Sequence, residues 1–240
     1  MATLLLRLAA PLQSWGVRSK FEIRQTEREP SKSGVIGLLA CAMGISREDQ
    51  NTLEKLSRLE FGVRVDQEGQ LLRDFHMVHA YKNRQDYRTG EKEQCAYITE
   101  RYYLADAVFL AGVSTDNEDL LKQLEEALVH PAFPLYLGRR SCPPSPPILL
   151  GRRDCSLREA LQQEPWLAAE WYRKRFPQGQ PVLRLTVDSA APGAASVCDV
   201  PVSFRPACRQ YAFRNVAAQS IPMPMTPTEH DAMMEVEECT

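Results

Sequence analysis

The amino-acid sequence predicts an α+β fold, and three observations lead to this prediction. Apolar residues alternate with other residues near the N-terminus, as they do in a β-strand. Two later segments carry the start and stop signals of helices, and several extended apolar stretches lie around them. The chain has 240 residues with 44% hydrophobic content, which is enough to bury a core in one large domain or two small ones.

The first predicted elements are a strand and a helix. Apolar residues alternate across residues 3–8, and Pro11 follows them, which predicts a strand that ends before the proline. Residues 34–44 are predicted to form a helix, because a serine before them can cap its first turn and Gly44 can close its last turn.

A hairpin and a further strand are predicted next. Residues 59–65 and 71–78 are extended in character, and the turn signal at residues 66–69 between them indicates a hairpin. After a polar segment, residues 102–113 are predicted to form one strand.

A second helix completes the order of elements. Thr115 and Glu118 have the spacing of a capping box, and the apolar residues that follow share one helical face, which predicts a helix ending near His130. The predicted order of strands and helices is most of a βαββαβ plan, the ferredoxin-like arrangement, which is also called RRM-like.

The C-terminal part is predicted to add strands and a tail. Residues 182–187 and 208–214 are extended in character, so we expect additional C-terminal strands there. Residues 221–240 are rich in proline, methionine and acidic residues, which predicts a flexible acidic tail.

Charge and cysteine content restrict the classes of function. Lys and Arg number 29 and Asp and Glu 31, so the net charge of −2 gives no overall attraction to nucleic acid, and any such binding needs a local basic surface. Seven scattered cysteines without a C-x-x-C pair argue against a disulfide framework or a zinc site, and no metal or cofactor is predicted.

The N-terminus lacks the features of a signal peptide and no apolar run is long enough to span a bilayer, so we expect a cytoplasmic protein without membrane contact.

Four segments carry a resemblance to a known family. The segments are residues 6–16, residues 24–39, residues 136–143, and residues 72–76 together with 86–88. In content, order and spacing they resemble the CasD family, the fifth Cas protein family, whose members are subunits of type I-E CRISPR Cascade complexes within the RAMP superfamily. The similarity extends from the N-terminus to about Gly151.

The resemblance implies a role in antiviral defence without catalysis or a cofactor. A CasD-like subunit would hold the 5′ handle of the crRNA and cap the backbone filament, beside the backbone subunit and the large subunit of Cascade. It would meet target DNA only indirectly, because guide pairing reads the target. The implied fold is a ferredoxin-like RAMP domain over residues 1–78 and 102–220, with a C-terminal extension and an inserted thumb at residues 79–101.

The start of the first helix carries one set of candidate RNA-binding residues. Arg24, Arg28, Lys32 and Ser33 lie at or before this helix, whose free N–H groups and positive dipole end could add to them in binding a phosphate. The alternative is a solvated surface on which these cations pair with the nearby glutamates.

Arginines further along the chain make a second set. Arg139 and Arg140 follow Gly138, and a glycine allows backbone and ligand to approach closely. Arg101 is also a candidate, because it lies where the polar segment returns to a strand. Ion pairs with acidic residues elsewhere in the fold are the alternative for the arginine pair.

Trp15 and Gln13 are the remaining candidates. Trp15 could stack on an unpaired base, and Gln13 could hydrogen-bond to the RNA. A tryptophan after a strand is more often a core anchor, and turn chemistry explains the glutamine nearly as well.

A second function remains open at this point, a metal-independent endoribonuclease that processes CRISPR repeat RNA. His76, His79, Tyr81 and Lys82 include the residue types that acid–base cleavage of RNA would need. Their closeness in sequence is weak support for a site.

Overall fold

A computed structural model describes residues 1–17, 22–81, 84–89, 93–176 and 181–222. Within these ranges the chain is rich in β-structure and has fewer helices, so the predicted α+β class is confirmed at this level. None of the helices in these ranges is long and apolar enough to cross a membrane.

The strands are β1 (Ala2–Ala9), β2 (Leu12–Gln13), β3 (Ile23–Arg24), β4 (Glu60–Gln67), β5 (Gln70–Tyr81), β6 (Glu93–Ala105), β7 (Val108–Thr115), β8 (Leu149–Arg153), β9 (Val182–Asp188), β10 (Ala195–Ser203) and β11 (Gln210–Pro222). The helices are α1 (Lys32–Ala42), α2 (Gln50–Ser57), α3 (Arg84–Thr89), α4 (Glu118–Val129), α5 (Leu157–Gln163) and α6 (Glu170–Arg173).

The main sheet has seven strands in the order β10-β11-β9-β4-β7-β1-β8. Both β1 and β4 are antiparallel to β7, so they run parallel to each other on either side of it, and α1 and α2 connect them. In the same way, β7 and β8 lie on either side of β1 and are both antiparallel to it, so they run parallel to each other. Helix α4 lies between them in the chain. Each of these parallel pairs is therefore split by an inserted antiparallel strand.

Both faces of the main sheet bury apolar side chains. On β1, Leu4, Leu6 and Leu8 pack into the cluster that includes α1, α2 and α4, while Leu5 packs into a second cluster with α5 and Trp166. Successive side chains of a strand point to opposite faces, which accounts for this division. A strand that is covered on both faces needs apolar residues at consecutive positions, as β1 has.

One arginine is fully buried in the second cluster. The Nε and Nη2 atoms of Arg64 donate to the two carboxylate oxygens of Asp66 at 2.6 and 2.8 Å, and its Nη1 donates to the carbonyls of Leu161 and Glu164. The guanidinium thus compensates its lost hydration with a carboxylate and with carbonyls at the end of α5. This set of bonds holds α5 against β4.

The predicted hairpin at residues 59–78 was wrong in its pairing. Its two strands exist as β4 and β5, but β4 lies between β7 and β9 in the main sheet, whereas β5 pairs with β6 in a second sheet. Four strands make up this second sheet, in which β6 also pairs with β2 and β3. A turn signal indicates a chain reversal but does not determine which strands pair across it.

The single strand predicted at residues 102–113 was also wrong. The chain forms β6 and β7 instead, with Asp106 between them at a positive φ of 56°. Aspartate tolerates this left-handed conformation better than most residues, and its N–H donates to the carbonyl of Pro11 at 3.1 Å. The break lets the chain pass from the second sheet into the main sheet.

Both predicted helices are confirmed, although the second has a different cap. Ser31 caps α1 by accepting from the N–H of Gly34 at 3.2 Å. The cap of α4 is Asn117, which accepts from Leu120, rather than the predicted Thr115. Asparagine is an equally good cap residue, and here it lies one residue before the helix.

The strand predicted at residues 182–187 lies within β9, and the one predicted at residues 208–214 overlaps β11, which begins at Gln210 and continues to Pro222. The sequence did not predict β10. Residues 221 and 222 end β11, and the rest of the predicted tail, residues 223–240, lies outside the described part of the chain. The predicted thumb, residues 79–101, falls in the β5-α3-β6 excursion and includes residues outside the described ranges, so it stays a prediction.

Candidate nucleic-acid interface

The loop after residue 136 rests directly on the residues that follow β2. Gly138 has φ of +84°, and a Cβ atom on it would lie 1.6 Å from the carbonyl oxygen of Ser14. One residue earlier, the carbonyl of Leu137 accepts a hydrogen bond from the N–H of Ser14 at 3.2 Å. Only glycine fits this close approach, and the contact places Arg139 near Ser14, just after β2.

Arg139 is oriented by contacts with the second sheet. Its Nη2 donates to the carbonyl of Arg24 at 2.8 Å, and its Cζ lies 4.6 Å from the centroid of the Tyr103 ring. The parallel pairing of β3 with β6 places Arg24 opposite Arg101. Arg24, Arg101 and Arg139 are therefore neighbours in the fold, but of these three only Arg24 and Arg139 line the cleft at this place.

Two of these arginines retain unused donors. The Nη1 atom of Arg139 and the Nε atom of Arg101 are buried, and neither has a hydrogen-bond partner in the described part of the chain. Buried donors of this kind are costly unless something accepts from them. An anionic ligand would supply acceptors.

A cleft of about 430 Å³ opens beside Arg139. Its walls come from the residues after β2, from β3, from the start of α1, from the loop at residue 138 and from the start of β11. Among the described residues that line it, three are arginines and none is acidic. The lining residues are Ser14, Trp15, Gly16, Arg24, Ser31, Ser33, Gly34, Gly138, Arg139, Arg209 and Tyr211.

The start of α1 offers fewer free backbone N–H groups to this cleft than the sequence predicts. The N–H of Lys32 donates to Asp199 at 2.8 Å, and the N–H of Gly34 donates to the capping oxygen of Ser31. Two of the first N–H groups are therefore already engaged. Ser33, one of the predicted residues, does line the cleft.

Lys32 is held by carboxylates inside the protein. The side chain is buried, and its Nζ pairs with Asp188 at 3.1 Å. Arg214 binds the same Asp188 at 2.6 Å and also binds Asp199 through Nε at 2.6 Å, so two cations and two carboxylates form one network. This geometry favours a structural role for Lys32 over the predicted phosphate contact.

The charges of this network stabilise one another. Burial by itself would lower the pKa of Arg214, but its hydrogen bonds to Asp199 and Asp188 outweigh this effect, and the pKa is raised. The network ties the first turn of α1 to β9, β10 and β11, which are more than 150 residues away in sequence. It therefore fixes one wall of the cleft.

Gln13 and Trp15 are both buried. The amide of Gln13 donates to the carbonyls of Leu8 at 3.1 Å and Ala107 at 2.7 Å, and its oxygen accepts from the indole of Trp15 at 3.1 Å. The ring of Trp15 packs under α1, where a Cβ on Gly34 would meet it at 2.8 Å. These contacts favour the core-anchor interpretation of both residues, although Trp15 also forms part of the cleft wall.

The other candidates lie in different places. Arg28 is exposed and does not line the cleft, whereas Arg140 lines a neighbouring groove. Arg209 and Tyr211, which line the cleft, were missed. Both follow the turn that joins β10 to β11, and sequence alone gave no reason to associate this turn with the start of α1.

The residues of the nuclease hypothesis do not line the cleft. His76 and His79 are exposed on β5, three positions apart, so the pleat of the strand directs them to opposite faces. Lys82 and the side chain of Tyr81 lie outside the described part of the chain. Within the described ranges, no group of three or more His, Cys, Asp or Glu residues could hold a metal ion.

Comparison with known proteins agrees with the resemblance noted in the sequence. The family described as CRISPR-associated protein (Cas_Cas5) matches residues 3–217. The chain belongs to the Cas5 family. The CRISPR system Cascade subunit CasD of Escherichia coli (strain K12) is 39% identical over 151 residues, which cover 58% of this chain and 66%, just under two thirds, of that protein.

Two solved structures are similar over nearly the whole chain. One is described as a crystal structure of a Cas protein, with a TM-score of 0.70 and 38% identity over 94% of this chain and 100% of that one. The other belongs to a CRISPR RNA-guided surveillance complex, with a TM-score of 0.76 and 31% identity over 98% of both chains. The similarity to Cas proteins thus continues well beyond Gly151, where the resemblance noted in the sequence ended.

Proposed function

We propose that this chain is a non-catalytic subunit of a Cascade complex, where it holds the 5′ handle of the crRNA and caps the backbone filament. Membership of the Cas5 family and the likeness to the CasD subunit and to a surveillance-complex chain support this role. Contacts with a backbone subunit and the large subunit, indirect contact with target DNA, and a cytoplasmic location are part of the same proposal.

The cleft is the observation that carries the proposal. Arg24, Arg139 and Arg209 line it without a carboxylate among the lining residues, in a protein whose net charge is −2. Arginine donates in a planar fork that matches phosphate oxygens. Tyr103 supports the Arg139 guanidinium from one side, and the Nη1 atom of Arg139 has no hydrogen-bond partner within the described part of the chain.

The same geometry favours binding over cleavage. General acid–base catalysis needs a titratable group within hydrogen-bond reach of the reacting atoms. None of the described residues that line the cleft is a histidine, aspartate, glutamate or lysine, and Tyr211 is there without a histidine or lysine beside it in the lining. His76 and His79 lie on β5 outside the cleft, which leaves the nuclease hypothesis without a supporting arrangement.

The order of the central strands supports a ferredoxin-like interpretation of the fold. The arrangement β4-β7-β1-β8 contains two split βαβ units that share the central pair of strands, as the βαββαβ plan requires. In this interpretation β9, β10 and β11 are the C-terminal extension, and the inserted thumb is part of the β5-α3-β6 excursion.

Removing two arginines from the cleft tests the proposal. The variant Arg24→Ala/Arg139→Ala should bind single-stranded repeat RNA at least ~10-fold more weakly, because each charge-assisted hydrogen bond to phosphate contributes about 1.5–3 kcal/mol. The slope of log affinity against log salt should fall by about 0.7 for each lost phosphate contact. Fluorescence anisotropy over a range of salt concentrations measures both quantities.

The matched control is Arg58→Ala/Arg152→Ala, which removes the same charge from arginines that pair with carboxylates away from the cleft. Equal affinities and equal salt slopes for the two double variants would contradict the proposal. Co-purification of each variant with crRNA and the other Cascade subunits tests assembly. Cleavage of repeat RNA without divalent metal, lost in His76→Ala/His79→Ala, would establish the nuclease instead.

A further inference from the structure

A second and larger groove continues from the cleft along α1. It has a volume of about 900 Å³ and shares part of its lining with the cleft, so the two form one continuous depression. The residues that line both are Ser33, Gly34, Gly138, Arg209 and Tyr211. A single-stranded RNA that leaves the cleft past Gly138 would therefore reach this groove next.

The floor of the groove is the outer side of α1. Gly37 and Cys41 keep this part of the floor free of large side chains, and a Cβ on Gly37 would meet nothing closer than the ring of Phe204 at 3.9 Å. A flat group can lie close to a helix surface of this kind. Phe133, which is 55% exposed, also lines the groove.

Unpaired cations line the groove. Arg47, Arg140 and Arg209 make no hydrogen bond or ion pair within the described part of the chain. By contrast, Arg58 and Arg152 on other surfaces each pair with a carboxylate. None of the described residues lining the groove is acidic. The groove therefore has the charge of a surface that receives an anion.

We propose that this groove is a second subsite of the RNA interface, in which unstacked bases lie on the floor formed by α1 while Arg47 and Arg140 contact the phosphates. The inference rests on the proposed function, because it follows the RNA strand onward from the cleft. Aromatic and apolar surfaces interleaved with cations are the usual platform for single-stranded nucleic acid. Continuity with the arginine-lined cleft favours RNA over a protein segment as the occupant.

Two substitutions of Gly37 distinguish the effect of filling the groove from the effect of changing the helix. Gly37→Leu places a large side chain on the groove floor, and Gly37→Ala leaves the groove open. Both residues have a higher helix propensity than glycine, so α1 should form in both variants. The Ala variant is therefore the matched control for the Leu variant.

The probe is a series of single-stranded RNA oligonucleotides of increasing length, together with the longest one made abasic at its distal positions. For the Ala variant, RNA affinity should increase further once the oligonucleotide is long enough to extend from the cleft into the groove. The Leu variant should lose about 5- to 100-fold for the longest RNA and bind the shortest RNA normally. On the abasic RNA the two variants should bind alike, because no base remains to be displaced.

The possible failures are distinguishable. Equal binding of the longest RNA by the two Gly37 variants would overturn the base subsite, while the effect of Arg24→Ala/Arg139→Ala on short RNA would still support the cleft. If the Leu variant kept full RNA affinity but lost another Cascade subunit on co-purification, the groove would be a protein docking site and the inference would be wrong. Loss of binding to RNA of every length would also overturn it.

Discussion

Gly138→Ala should disrupt both the packing of the loop and the cleft that it forms. The added Cβ would lie 1.6 Å from the carbonyl oxygen of Ser14, so the two backbones must separate by roughly 1.8 Å to reach an ordinary contact of 3.4 Å. Such a shift breaks the bond from the N–H of Ser14 to the carbonyl of Leu137. The left-handed conformation adds strain, because φ is +84°.

These effects set the expected magnitudes. Left-handed strain costs about 1–2 kcal/mol and the lost hydrogen bond about 1 kcal/mol, so the free energy of unfolding should fall by about 2–3 kcal/mol. Arg139 moves together with the loop and leaves its position beside Arg24. Affinity for single-stranded RNA should therefore fall by about 10- to 100-fold, the loss of one charge-assisted hydrogen bond.

Urea unfolding and fluorescence anisotropy measure the two effects, and Gly193→Ala is the control. Gly193 has φ of +81°, but a Cβ on it would meet no atom within 4 Å, so this change adds strain without a clash. The control should lose about 1–2 kcal/mol of stability and no RNA affinity. If the two variants had equal RNA affinity, the reasoning that Gly138 positions Arg139 would be refuted.

Three further predictions concern the rest of the fold. Arg64→Met leaves the buried carboxylate of Asp66 without its cation, and urea unfolding should show a loss of about 3–5 kcal/mol; a loss below about 1 kcal/mol would contradict the buried pair. Burial raises the pKa of the Cys142 thiol, so in the native protein at about pH 8 it should react with iodoacetamide more slowly than the exposed Cys208, and equal rates by peptide mass spectrometry would be the contrary result. Hydrogen bonds from its capping serine lower the pKa of Glu159, so the stability they contribute is present above the ordinary range of a glutamate and is lost as pH falls through the lowered value. Glu159→Gln should therefore remove part of the acid dependence of unfolding, and an unchanged pH profile would show that this carboxylate does not contribute.

Local sequence signals predicted the elements better than their pairing. The serine cap and apolar pattern of α1 depend on residues within one or two turns of each other, so they were visible in the sequence. The separation of β4 from β5 was not visible, because a strand chooses its neighbours by burying apolar faces against strands from distant parts of the chain. The break at Asp106 escaped notice because apolar residues continue on both sides of it.

For the candidate site too, the sequence indicated some features, whereas others depend on distant parts of the chain. Arg24, Ser33 and Arg139 were selected from two distant sequence segments, and all three line one cleft. Lys32 was selected by the same reasoning and points instead into a network with Asp188. Sequence reports which side chains are cationic, but not whether a carboxylate far along the chain reaches them.

By itself the sequence determined the family, the α+β composition, the start of α1 and the glycine–arginine loop, because each depends on residue types and short spacings. Only the tertiary structure decided which cations remain available to a ligand. It neutralised Lys32 through Asp188, and it brought Arg209 and Tyr211 to the cleft by folding the turn after β10 against α1. The physical reason is that ion pairing and cleft formation depend on distances in space, and here those distances join residues more than 150 positions apart.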